Sequence, residues 1–133
     1  MTGPAWEGFL GALPQADGTT VFRVWAPRAE TVAVRLDSGD HPLGPVGEGV
    51  FEGRPEAVAG DDYRLVLDGG DAWPDPFSRW QPAGVLGPSR VLDLEGLRTT
   101  IRHGPRIPPR ELVLYELHVG TFTPEGTFDA AIG

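Results

Sequence analysis

The eight-residue run Leu112–Val119 (LVLYELHV) has six apolar positions and follows the Pro-rich stretch Gly104–Arg110. A Gly/Pro turn region, Gly120–Gly126, comes next, and the pattern predicts a helix opening at Thr127. A strand apolar on both faces, then a loop, then an amphipathic helix start make the first half of a βα repeat. One such unit cannot cover both faces of its own strand. The run is therefore expected to belong to a larger parallel sheet or barrel, and the chain to be the front part of a longer protein. Without those parallel neighbours, Leu112–Gly133 is expected to be poorly ordered or to pack differently.

Upstream, the dominant signal is alternation. Thr20–Trp25 (TVFRVW) places Phe22 and Val24 on one face and Val21, Arg23 and Trp25 on the other. Pro27 ends that strand, because it has no N–H for a ladder. Thr31–Leu36 turns Val32, Val34 and Leu36 inward, and Tyr63–Leu67 does so with Tyr63, Leu65 and Leu67. Gly8–Leu13, Gly49–Glu52 and Arg90–Leu94 are shorter candidate strands, with turns at Asp37–Asp40, Gly60–Asp62 and Asp68–Asp71. Short alternating strands without helix periodicity predict a mainly β domain over residues 1–94, an immunoglobulin-like antiparallel β-sandwich. With no cysteine in the chain, it lacks the disulfide of antibody domains. Residues 95–111, with Pro105, Pro108 and Pro109, are expected to be a stiff connector, and residues 112–133 the truncated βα unit.

Charge and composition exclude several functions. The net charge is −8, and all eleven basic residues are Arg, scattered with no basic stripe. Nucleic acid is thereby disfavoured as a partner, and lysine-dependent chemistry such as a P-loop or Schiff base is ruled out. No run is long or apolar enough to cross a membrane, and the first ten residues lack the pattern of a secretory signal. A cytoplasmic location is expected. The carboxylate pairs Asp61/Asp62, Asp68/Asp71 and Glu125/Asp129 fall in turns or at a helix start, where acids bond nearby backbone N–H groups. His41, His103 and His118 have no metal-set spacing, and Ser38, Ser78 and Ser89 have no nucleophile-elbow context, so neither a metal nor a cofactor is expected.

Three segments together resemble the N-terminal part of the maltooligosyltrehalose trehalohydrolase family of the α-amylase superfamily (glycoside hydrolase family 13). Val21–Ala29 (VFRVWAPRA), followed by Val32-Ala-Val34, is similar to the first strands of the early-set sandwich domain in isoamylases, branching enzymes and trehalohydrolases. Trp73–Val91 (WPDPFSRWQPAGVLGPSRV), preceded by Gly60-Asp-Asp-Tyr63 and Leu67-Asp-Gly69, is the most discriminating piece and resembles the trehalohydrolases in particular. Leu114–Ile132 (LYELHVGTFTPEGTFDAAI) resembles the first strand and following loop of that family's (β/α)8 barrel. Leu36-Asp-Ser-Gly-Asp40 departs from the Asp-Phe-Asn-x-Trp turn of branching enzymes, which argues against a glycogen-binding role.

The resemblance implies a glycosidase of trehalose biosynthesis that cleaves an α-1,4 bond of maltooligosyl trehalose to release trehalose. Such retaining chemistry needs two carboxyl groups about 5–5.5 Å apart. In the family the Asp nucleophile, the Glu acid/base and a further stabilising Asp lie on later barrel strands, and none of their motifs occurs before Gly133. No residue here receives a catalytic role, and this chain alone is not expected to be an enzyme. Its partners would be an intramolecular catalytic barrel and, through that barrel, an α-glucan.

Several residues carry two readings. Trp73, Phe77, Arg79 and Trp80 sit in a Pro-rich segment and are expected to dock the sandwich on the barrel. Trp73 and Trp80 are also candidates for stacking on sugar rings. Trp25 is expected to pack between the sheets. Glu116 and His118 share one face of the Leu112–Val119 strand, either as a buried hydrogen-bonded pair or with His118 approaching the substrate cleft. The rival functions are a non-catalytic carbohydrate-binding or interaction module, and the N-terminal domain of a glycogen debranching or branching enzyme.

Overall fold

The computed structural model describes residues 8–94 and 108–132. The first of its two compact units is built from eight strands, and every paired neighbour runs antiparallel. They are β1 (Gly11–Pro14), β2 (Thr20–Trp25), β3 (Val32–Leu36), β4 (Gly39–Gly47), β5 (Val50–Gly53), β6 (Asp62–Leu67), β7 (Ala72–Trp73) and β8 (Ser89–Arg90). Their order is β1-β2-β5-β4-β3-β6-β7, with β8 also paired to β6. The antiparallel, mainly β architecture expected of this region is what the structure has.

Alternation sets the core. Phe22 and Val24 of β2 and Val32, Val34 and Leu36 of β3 are buried, whereas the outward positions between them are covered less. Phe51, Leu43, Tyr63, Leu65 and Val91 join them in one apolar cluster. The Phe22 and Tyr63 rings meet edge to face at 5.0 Å. Their strands are four places apart in the strand order, which would separate them by about 19 Å in a flat sheet at about 4.8 Å per strand. The sheet is therefore doubled over, and its two layers share that core.

The fold-over occurs within β4. Its first half, Gly39–Leu43, pairs with β3, and its second half, Gly44–Gly47, pairs with β5. Each residue of β4 thus has a ladder on one side only, which is where Pro42 and Pro45 can sit without a missing N–H. The sequence pattern misses this strand, because two prolines and three glycines conceal it. Its exit is a two-residue hairpin, Glu48-Gly49, with both φ angles positive (50° and 76°), the geometry that matches strand twist. A methyl group on Gly49 would come within 2.5 Å of the Pro27 Cα, so the hairpin presses directly on the loop after β2.

Three side chains depart from expectation. Trp25 does not pack between the layers; it ends β2 on the outer face, half exposed, and its Nε1 donates to the Glu48 carbonyl at 3.2 Å. The alternation that buries Phe22 and Val24 leaves no other place for it. In β6, Val66 is buried and Leu67 is exposed. Val66 has ladder neighbours on both sides, Ala33 and Ala72, whereas Leu67 has only Val32.

The second unit differs more from the sequence pattern. A 3₁₀ turn at Pro109–Glu111 leads into Leu112–Leu117, which has no ladder partner among the described residues. A strand needs a neighbour to become one, and no described residue pairs with this run. Val119, expected to close the strand, instead opens a helical turn, α1 (Val119–Phe122). Helix α2 (Phe128–Ile132) follows, and Thr127 Oγ1 accepts from the Ala130 N–H at 3.2 Å, as the predicted helix start requires. Trp6, His103 and the connector residues 95–107 lie outside the described residues.

Candidate functional site

The segment between β7 and β8 is organised around one buried carboxylate. Asp75 lies between Pro74 and Pro76, and a residue preceding proline is driven into extended backbone. Asp75 turns inward and is only 3% exposed. The Tyr63 hydroxyl donates to its Oδ2 at 2.7 Å, and the Phe77 N–H donates to Oδ1 at 2.8 Å. The Asp75 N–H donates to the Ser89 Oγ at 2.9 Å. Gly11 of β1, at φ +97°, passes so close that a methyl group there would stand 3.0 Å from the Phe77 carbonyl oxygen. Only glycine fits both the angle and the gap.

Above this anchor the segment displays aromatic rings. Trp73, Phe77 and Trp80 are exposed, and Val85 and Leu86 are each 78% exposed. Three arginines hold the rim. The Arg90 guanidinium lies 5.1 Å from the Trp80 ring centre and binds both Asp62 oxygens, at 2.6 and 3.0 Å. Arg79 lies 4.6 Å over the Phe9 ring, and the Arg64 Nη2 donates to the Leu86 carbonyl at 3.3 Å. A run of exposed apolar side chains over a fixed base suits contact with another surface.

All four residues expected to dock, Trp73, Phe77, Arg79 and Trp80, therefore lie on one anchored segment. Asp75 is the residue that sequence reasoning missed, and the prolines on both sides were the available signal. His118 falls in the second unit, where it is exposed and its Nδ1 lies 3.2 Å from the Thr121 Oγ1. Glu116 is exposed too, so the buried Glu116–His118 pair does not form here. The reason is the same missing ladder, which would have turned both residues to one covered face.

Asp61 and Asp68 behave as turn residues, whereas Asp62 lies in β6 and pairs with Arg90. The Asp61 Oδ2 accepts from the Val58 N–H at 2.8 Å, and the Asp68 Oδ1 accepts from the Glu30 and Thr31 N–H groups, each at 2.8 Å. No group of three His, Asp or Glu residues among the described residues could hold a metal. No described helix is long and apolar enough to cross a membrane.

The titratable groups have opposed signs. Burial pushes the Asp75 carboxyl above the ordinary carboxylate range, against the pull of the Tyr63 hydroxyl, the Phe77 amide and Arg79. Burial, followed by the Asp75 charge, also raises the Tyr63 phenol. Hydrogen bonds lower Asp62 (from Arg90), Asp40 (from Arg35) and Asp17 (from Thr19). Those three contribute stability that is lost as pH falls through their lowered values. Asp75 works the other way: its contribution is complete below pH 3.8 and is lost as pH rises through its raised folded value. In urea titrations repeated from pH 3.8 upward, Asp75→Asn is expected to remove that decline; an unchanged pH profile would refute it.

No protein-family model matches the chain. It is 42% identical over 123 residues to a malto-oligosyltrehalose trehalohydrolase of Deinococcus radiodurans, across 92% of this chain and 20% of that protein. A second relative of that name, from Saccharolobus solfataricus, is 37% identical over 87% of this chain and 21% of its own length. The chain thus spans about a fifth of the curated relatives it matches. Among solved structures, a Salmonella typhimurium protein described as an alpha amylase superposes with a TM-score of 0.79 at 40% identity, over 92% of this chain and 21% of that one.

Proposed function

We infer that this chain, by sequence a member of the malto-oligosyltrehalose trehalohydrolase family, is the non-catalytic β domain and first barrel strand of a longer glycosidase. That enzyme would cleave the α-1,4 bond of maltooligosyl trehalose and release trehalose. The chain's part is to dock its sandwich (residues 1–94) on a catalytic (β/α)8 barrel that begins with residues 112–133, the segment between being the connector. Trp73, Phe77, Arg79 and Trp80 are the docking residues.

The observation that carries this reading is the anchored segment from Trp73 to Leu86. It exposes three aromatic rings and two aliphatic side chains while its backbone is fixed from beneath by Asp75. Large aromatics and arginine on a pre-formed surface favour a domain interface, because little order has to be gained on contact. Four of the described carboxylates are already committed within the domain. Asp17, Asp40 and Asp62 are engaged by Arg54, Arg35 and Arg90, and Asp75 is enclosed.

The test extends the chain through its downstream reading frame. The extended protein is expected to release trehalose from maltooligosyl trehalose, and the 133-residue chain to release none. In the extended protein, Trp73→Ala with Trp80→Ala should lower the thermal midpoint, while the same pair in the short chain should leave its midpoint nearly unchanged. Trehalose release by the short chain, or a pair without effect in the extended protein, would refute this reading.

A further inference from the structure

The anchor beneath the exposed segment continues past Asp75 as a chain of hydroxyls. The Tyr63 hydroxyl meets Asp75 Oδ2 at 2.7 Å, and the Ser78 and Ser89 hydroxyls both bear on the Tyr63 oxygen. Ser89 Oγ already accepts the Asp75 N–H at 2.9 Å. Ser78, half-buried, reaches the backbone of the segment itself. Its Oγ lies 2.9 Å from the Trp80 carbonyl oxygen and 3.3 Å from the Trp80 nitrogen. That hydroxyl has one proton and two acceptors, the Tyr63 oxygen and the Trp80 carbonyl. Which of them receives it depends on Tyr63, and Tyr63 depends on Asp75.

We propose that the proton on Asp75 is a switch for the exposed segment, relayed through Tyr63 and Ser78 to the backbone of Trp80. An ionised carboxylate only accepts, so the Tyr63 proton points at Oδ2 and the Tyr63 oxygen accepts from Ser78. The Trp80 carbonyl then keeps the Arg90 N–H, at 2.9 Å, as its donor. A proton taken up from solvent goes to Oδ2, since Oδ1 serves the Phe77 N–H at 2.8 Å. The neutral acid donates to the Tyr63 oxygen, the Tyr63 proton turns to Ser78 Oγ, and the Ser78 proton turns to the Trp80 carbonyl. Two hydroxyls rotate, and Trp80 gains a second donor. The segment is held more firmly in the neutral state. The groups around Asp75 favour that state. Tyr63 faces it from β6, Ser89 from β8 and Arg79 from its own segment, while β1 meets it at Gly11 with no side chain. On the same two strands, Asp62 and Arg90 engage each other, and Arg64 donates to the Leu86 carbonyl. One arginine does not offset the burial, so the carboxyl titrates above the ordinary range.

The switch acts on the surface read above as the docking face, and its consequence for docking rests on that reading. The test follows the Asp75 carboxyl carbon and the Trp80 carbonyl carbon of the 133-residue chain by NMR, from acid to neutral pH. Both are expected to shift in one step with a common midpoint above the ordinary carboxylate range. Asp62, also near Trp80, titrates below that range, so its step is told apart by position. Asp75→Asn offers a carbonyl to Phe77 and an N–H to Tyr63, which fixes the neutral arrangement, and the upper step at Trp80 should vanish. Ser78→Ala should keep the step at Asp75 and lose it at Trp80, a separation that a merely structural role of Ser78 would not produce. If Asp75→Asn fails to fold, Ser78→Ala decides alone. A Trp80 signal that stays still while Asp75 titrates would overturn the proposal, as would a Trp80 step that survives in Ser78→Ala. The Trp73/Trp80 pair in the extended protein tests the docking reading separately, and either result can fail without the other.

Discussion

Replacing Phe22 by Ala is expected to lower the unfolding free energy of the β domain by about 4 kcal/mol. Phe22 is 1% exposed, and its ring is the contact that joins β2 in one layer to Tyr63 of β6 in the other. Removal deletes the transfer energy of the ring and leaves a cavity that two closed layers relax into only partly. Domains of this size are stable by roughly 5–15 kcal/mol, so the variant should sit near the edge of folding. Urea unfolding followed by circular dichroism measures the change, and the denaturant slope should stay constant. A loss below about 1 kcal/mol would mean that the layers do not close over this ring.

Asp75→Ala ranks second, at about 3 kcal/mol. It strands the buried Tyr63 hydroxyl and the half-buried Phe77 N–H, and each orphaned group costs about 1–3 kcal/mol. Tyr63→Phe removes one side of the same bond and should cost about 1 kcal/mol. A double-mutant cycle separates the pair from its surroundings: the two substitutions together should fall short of their sum. Additive losses would deny that Tyr63 and Asp75 act on each other.

Most of the β domain was legible in the sequence, because alternation is a direct consequence of the pleat. Phe22, Val24, Val32, Val34, Tyr63 and Leu65 are inward where period two puts them. Strand β4 was not legible. Its alternation is broken by Pro42, Gly44 and Pro45, and its hairpin uses Glu48 where Asn or Asp would have signalled the turn. Trp25 was misread by its chemistry, which suggests a core, when its phase in the strand already placed it outside.

The site was half legible. The Trp73–Trp80 residues stood out by type, and the structure finds them exposed on one segment. What fixes that segment was hidden, because Asp75, Tyr63 and Ser89 are brought together by pairing of β6 with β8 rather than by any spacing in the chain. The second unit shows the opposite case. Its apolar run was conspicuous, but periodicity cannot supply the neighbour that turns a run into a strand.

Strand β4 has a mechanical consequence. It is a continuous piece of backbone that is stitched to one layer by its first half and to the other by its second. Neither layer can peel away without tearing a ladder that the other also depends on. Native-state hydrogen exchange across Val32–Leu36 and Val50–Gly53 should therefore report a single opening energy, and the domain should transmit force as one stiff block with no internal hinge.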